Sequence, residues 1–155
     1  AGVMCAGRLL HGMLHPEAGH MLVRTRPTEE GRCVCPSHAS CLEGLASGPA
    51  IAARWGKPAA ELADNDEVWM LEGDYLGQMC ANLVLMYSPH RIVLGGGVMR
   101  QEQLYGIVRK KTLEYLGGYM QTAELKDMES YICAPGCGGD QGILGAAELA
   151  RRALA

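Results

Sequence analysis

The chain has little net charge: 14 basic residues stand against 17 acidic ones in 155, a balance of −3. Such a surface is not built for polyanions, and with no basic face and no helix-turn-helix pattern, nucleic acid is not an expected partner. No apolar run approaches the ~18 residues that a membrane span requires, so no membrane partner is expected. No basic-then-apolar leader opens the sequence, and the expected compartment is cytoplasmic. Neither a Walker A pattern nor G-x-G-x-x-G occurs, and no spacing argues for a Ser-His-Asp constellation. Internal repeats and low-complexity segments are also missing. With 48% hydrophobic and 20% charged residues, the composition excludes disorder and suits one domain that buries roughly two thirds of its unfolded surface.

What is present in excess is cysteine, and its placement is uneven. Seven cysteines are an odd count for a disulfide framework, and three of them, Cys33, Cys35 and Cys41, crowd into one short stretch. Cys35, His38 and Cys41 follow one another at i, i+3 and i+6, and His20 lies one loop upstream. Two thiols and two imidazoles complete a four-ligand set for tetrahedral Zn²⁺, which would be structural and closed rather than catalytic. Cys33 is an alternative donor that could replace His20 or one of the others. Two carboxylates flank the set: Glu17 precedes His20 by three residues, and Glu43 follows Cys41 by two. An ionised carboxylate only accepts hydrogen bonds, so these acids suit a ligand rich in hydroxyl donors, such as a sugar. His20 would bind metal through one nitrogen and face that ligand with the other.

Around this block the pattern alternates between strands and helices. Residues 2–6 and 8–10 suit a short hairpin turning at Ala6-Gly7. Residues 21–34 lack periodicity and read as a surface excursion closed by the metal cluster. Ser47-Gly-Pro49 opens a helix that Gly56-Lys-Pro58 stops. A long amphipathic helix follows Asp64–Glu67, with Trp69, Leu76, Met79, Leu83 and Met86 on its inner face, and ends at Ser88-Pro89. Arg91–Leu94 reads as a buried strand, Leu104 to Leu116 as a helix, Ser130–Cys133 as a strand, and Asp140 as the cap of a last helix. This order predicts an α/β layer with a largely parallel or mixed sheet. Ligands in such folds gather at the carboxyl ends of strands, where Gly95-Gly96-Gly97 and Gly136–Gly139 lie. Side-chain-free backbone at Gly95–Gly97 would let a nucleotide lie close.

Several of these stretches resemble the ROK family of sugar kinases and repressors. Leu9-Leu-His-Gly-Met-Leu-His-Pro-Glu-Ala-Gly-His20, Cys35-Pro-Ser-His-Ala-Ser-Cys-Leu-Glu-Gly-Leu-Ala-Ser-Gly-Pro-Ala50, Ile92-Val-Leu-Gly-Gly-Gly-Val98 and Gly142-Ile-Leu-Gly-Ala-Ala147 are most similar to its bacterial fructokinase branch. In the repressor and glucokinase branches the cluster is cysteine-only, so His38 argues for fructokinase. The resemblance implies an actin-like ATPase (ribonuclease H-like) lobe with a zinc-bound loop at residues 21–44. It implies ATP-dependent phosphorylation of a hexose, with Zn²⁺, Mg²⁺ and ATP as cofactors and a homodimer as the intact form. Glu17, His20 and Glu43 match sugar-contacting positions, and His20, Cys35, His38 and Cys41 match zinc ligands. Gly95, Gly96, Gly97, Val98 and Met99 match the nucleotide-side loop, and Pro49 lies in a helix start near ATP. The family's phosphate loop and its proton-accepting aspartate have no counterpart in residues 1–155. The chain is therefore expected to be a carboxyl-terminal lobe with the amino-terminal lobe absent, and inactive as a kinase by itself. A rival expectation is a zinc-stabilised, sugar-binding regulatory module, and a third is a fragment that is not independently stable.

Overall fold

The computed structural model describes residues 1–154. Its spine is one helix. α3 (Asp66–Tyr87) starts where the Asn65 side chain accepts from the Glu67 amide, and ends where Ser88 turns left-handed at φ 43° ahead of Pro89. Its first four turns are buried on nearly every side: Trp69, Leu71, Tyr75 and Cys80 are all enclosed, while Leu85, Met86 and Tyr87 emerge into solvent. Met86 is thus not on an inner face; the helix outruns the core that covers it.

α4 (Gln103–Leu116) makes the most extensive contact with α3. The two backbones approach closely because α3 has no side chain at the crossing. A Cβ placed on Gly73 would collide with the Ile107 side chain, and one on Gly77 with Lys111 Cβ. Leu104, Val108, Thr112 and Leu116 then face inward one turn apart. Beneath them lie two apolar clusters. The larger joins α3 to α1 (Leu42–Ala46) and to the strands; the smaller gathers Ile51, Leu62, Val68, Trp69, Met99 and Leu104.

The strands are shorter than the sequence implies, and they do not form one layer. β1 (Met4–Cys5) and β2 (Arg8–Leu9) pair antiparallel through Ala6 at φ 49° and Gly7 at φ 76°, the left-handed pair that a tight hairpin turn demands. β3 (Ile92–Val93) and β4 (Ile132–Cys133) pair in parallel, in register Ile92↔Ile132. The hairpin and the parallel pair are separate two-stranded sheets among the described residues. β3 is only half buried, with Ile92 inside and Val93 56% exposed. Ser130 and Tyr131 belong to a helix, not to β4. Between α4 and β4 the chain makes two single turns, α5 (Ala123–Lys126) and α6 (Met128–Tyr131), capped by Thr122 and Asp127 side chains. These caps bind local amides before a strand can extend.

α2 (Gly48–Trp55) begins as its sequence predicts: Ser47 Oγ accepts from the Ala50 amide at 3.3 Å, Pro49 occupies the first turn, and Gly56 closes it at φ 71°. α7 (Gln141–Ala153) starts at Asp140, which makes no side-chain cap bond, and buries none of its residues. None of the helices is long and apolar enough to cross a membrane among the described residues.

Alanine in place of glycine tests the α3–α4 crossing, because helix propensity and packing pull in opposite directions. Gly77→Ala should destabilise the chain by about 1–3 kcal/mol, because overpacking at Lys111 outweighs the propensity gain. Gly106→Ala, where a Cβ meets nothing within 4 Å, should instead stabilise by roughly 0.5–1 kcal/mol. Urea unfolding of the two variants measures both signs.

Candidate functional site

The excursion that begins at Met21 is closed at its neck by backbone bonds. Leu42 N donates to Met21 O at 2.9 Å, Val23 N donates to Ser40 O at 2.9 Å, and Leu22 bridges Cys41 antiparallel. A 3-10 turn, Ala18–His20, leads into this neck, and the Glu17 carbonyl accepts from the His20 amide at 3.0 Å. His20 and Cys41 are therefore neighbours by construction. Cys41 is wholly buried and caps α1, its Sγ accepting from the Gly44 amide at 3.4 Å. The inner turn then brings the remaining donors over. Cys35 Sγ lies 3.4 Å from His38 Nδ1 and 4.0 Å from His20 Nδ1, and the two imidazole centroids are 5.2 Å apart.

The donor atoms of His20, Cys35, His38 and Cys41 all lie within 4.8 Å of one another. Tetrahedral zinc, with Zn–S ~2.3 Å and Zn–N ~2.1 Å, sets its ligands about 3.3–3.8 Å apart. The cluster needs only a small contraction to reach that geometry, and two thiols with two imidazoles are chemically suited to it. Cys33 points elsewhere: its Sγ donates to the His38 carbonyl at 3.0 Å and packs on Gly44, where a Cβ would collide with it and with Cys35. Gly44 is thus the floor on which the cysteine turn rests.

The two thiols are electrostatically unequal. Cys35 is drawn down to about 7, first by the Ser37 backbone amide and then by contacts with His38 and Cys41. Burial pushes the Cys41 thiol up, against the Gly44 amide. Near neutral pH one thiol is thus half ionised while the other needs a cation to lose its proton.

The flanking acids divide. Glu43 Oε2 sits 3.9 Å from His20 Nε2, so His20 offers Nδ1 to the donor cluster and Nε2 to a carboxylate. Glu17, at the head of the same turn, has its Oε1 2.7 Å from His15 Nε2 in an exposed pair. Beside it opens a cleft of about 200 Å³ lined by Pro16, Met21, Leu83, Met86 and Tyr87.

The glycine turns also converge. Gly95–Gly97 leave β3 and Gly136–Gly139 leave β4, and because the strands are parallel the two turns lie side by side. A Cβ on Gly95 would sit 2.8 Å from Pro135 Cγ and 3.6 Å from Gln141 Nε2. Gly96 takes φ 96°, while Val98 is half-buried and Met99 packs into the smaller core cluster with Ile51 of α2. Pro49, two residues before Ile51, is exposed.

The sequence model of the ROK family matches residues 1–153. The chain belongs to the ROK family. It is 45% identical over 155 residues to a Bacillus subtilis (strain 168) relative, covering 99% of this chain and 52% of that protein. It is 41% identical over 154 residues to the fructokinase of Pediococcus pentosaceus, with 99% and 52% covered. The crystal structure of ROK hexokinase from Thermus thermophilus superposes with a TM-score of 0.72 at 26% identity, over 94% of this chain and 51% of that one. This ROK chain therefore has the mixed α/β fold of ROK sugar kinases and spans about half the length of the relatives it matches.

Reasoning from the ROK sequence alone missed the residues that hold the excursion against α3. Gln78 Oε1 accepts from the Arg24 amide at 2.8 Å and its Nε2 donates to the Arg24 carbonyl at 3.0 Å. Arg54 joins Glu29 to Glu72. The one available signal was the run of polar residues, Glu72, Asp74 and Gln78, on a helix otherwise rich in apolar ones.

In the metal-free chain, Cys35 should be the thiol of the cluster that reacts first. Its alkylation rate should rise with pH through a midpoint near 7, where thiolate replaces thiol, while Cys80, pushed up to about 12 by burial, stays unmodified. Peptide mapping after iodoacetamide treatment at a series of pH values reads both.

Proposed function

We propose that this chain is the sugar-contacting, zinc-binding carboxyl-terminal lobe of an ATP-dependent hexose kinase that converts fructose to fructose 6-phosphate. The observation that carries the reading is the double placement of His20, with Nδ1 in the four-donor cluster and Nε2 facing Glu43. The fructokinase names of its relatives from Pediococcus pentosaceus, Zymomonas mobilis and Streptococcus mutans support the choice of sugar.

His20, Cys35, His38 and Cys41 would hold a structural Zn²⁺ with no open position, so the ion orders the loop and leaves the chemistry to others. Glu43 accepts hydrogen bonds from the sugar hydroxyls: an oxygen about 2.8 Å from both groups fits across the 3.9 Å gap between Glu43 Oε2 and His20 Nε2. Glu17 contributes the same way once His15 yields. Pro49 and Gly95–Met99 supply one wall of the nucleotide site, where ATP with Mg²⁺ provides the phosphoryl group. Of the acids in residues 1–154, Asp74 is already committed, accepting from Tyr115 Oη at 2.9 Å with Lys111 Nζ 3.6 Å away. The proton acceptor for the sugar hydroxyl belongs to the other half of the kinase. The whole enzyme would work in the cytoplasm, and as a homodimer, as its family resemblance implies.

Elemental analysis of the purified chain should give one zinc per molecule, reduced by Cys41→Ser and unchanged by Cys33→Ser. Calorimetry should show fructose binding that Glu43→Gln weakens about 10- to 100-fold, the worth of a charge-assisted hydrogen bond. Fructose-dependent ATP consumption by these residues alone should be negligible, because a general acid–base contribution of roughly 10²–10⁴ is missing. Stoichiometric zinc with no sugar binding would sink the kinase-lobe reading while leaving the metal assignment standing.

A further inference from the structure

Away from the donor cluster, the excursion is seated on α3 by charge. Arg54 of α2 reaches between two carboxylates: its Nε donates to Glu29 Oε2 at 2.5 Å, and its Nη1 donates to Glu72 Oε1 at 3.1 Å and to the Leu45 carbonyl at 2.9 Å. Its side chain is 3% exposed, that of Glu29 12%, and that of Glu72 not at all. The guanidinium also sits 5.9 Å over the Tyr75 ring, and the charge of Arg26 from the excursion acts on the same tyrosine. One cation cannot balance two enclosed carboxylates, and an uncompensated buried charge is costly enough that the group takes up a proton instead. Glu72 is the deeper of the two, and its Oε2 has no hydrogen-bond partner among the described residues. That oxygen is where the proton belongs.

We propose that Glu29, Arg54 and Glu72 form a proton-operated latch on the outer limb of the metal-bearing excursion. With Glu72 protonated the trio is neutral and Glu29 is held; when Glu72 loses its proton to solvent, two carboxylates compete for one guanidinium and the Glu29 limb is released. Burial pushes the Glu72 carboxyl up to about 8 against the pull of Arg54, and Glu29 pushes it further in the same direction. The folded chain therefore holds this proton more tightly than the unfolded one. The resulting stabilisation is complete below the ordinary carboxylate range, declines as pH rises from there, and is gone above about 8. None of the three residues is a proposed metal donor or sugar contact.

The test is carried out on the intact chain. Carboxyl-carbon NMR should show Glu72 titrating with a midpoint near 8, and Glu29→Gln should lower that midpoint by about one unit or more, because the competing anion is removed. Amides of residues 26–31 should exchange faster than the intrinsic base-catalysed rise between roughly pH 7 and 9, and Glu72→Gln, neutral at every pH, should abolish that excess. A Glu72 midpoint in the ordinary carboxylate range, a midpoint unmoved by Glu29→Gln, or the same excess exchange in Glu72→Gln would each overturn the latch.

Discussion

The close crossing of α3 and α4 at Gly73 and Gly77 is the constraint on which the rest of the molecule depends. Because neither glycine has a Cβ, the backbones meet and one flank of α3 is consumed. The opposite flank must then be covered by something else: α1 packs on it, α2 reaches it through Ile51 and Arg54, and the excursion through Arg24. That flank includes Glu72 and Gln78, which cannot remain enclosed without partners. The partners available are Arg54 and the Arg24 backbone, so the polar residues of a buried helix specify which loop docks and in what register. A helix that was apolar throughout would bind the excursion just as well in several positions.

The size of the loop sets what a metal ion can achieve there. Structural zinc has on the order of 10 kcal/mol available for ordering, and fixing a residue's backbone costs about 1–2 kcal/mol. The ion can thus organise roughly five to ten residues, which matches the inner turn from Cys35 to Cys41 and falls short of the span from 21 to 44. The outer limb needs anchors of its own, and the Gln78 and Arg54 contacts are placed where the reach of such an ion would end. Gly44 links the two regions, since the cysteine turn rests directly on its backbone.

This division explains what was readable in the sequence. The donor spacing, the Ser47 and Gly56 boundaries of α2, the Ala6-Gly7 turn and the long α3 all follow from local rules with identifiable residue types. The strands were overestimated because apolar β-branched runs carry no information about pairing length; the Asp127 cap claimed the Ser130 amide that a longer β4 would have needed. The short α1 was not legible at all, since its helical turn depends on Cys41 being held as its cap by the loop neck. The pairing of Arg54 with Glu29 and Glu72 was not legible for a related reason: charged residues are ordinarily solvated, and only the tertiary contact shows that these three are enclosed.

The parts that contribute least to this core are the edges. Ile143, Leu144 and Leu149 on α7 and Met4 and Leu9 on the hairpin are all exposed, and each two-stranded sheet is marginal without further strands. Their hydrophobic area adds little to the stability of the chain as described, whereas α3, α4 and the anchored excursion form a continuous unit. The donor cluster and Glu43 belong to that unit, so their geometry does not depend on what packs against the hairpin or α7. The glycine turns after β3 and β4 hold less firmly, fixed on one side by Met99 in the core and open on the other. A firmly packed half that carries the donor cluster and Glu43, joined to a looser glycine rim, is what this distribution of packing implies, and in the kinase proposed above it would leave closure around the nucleotide to the rim.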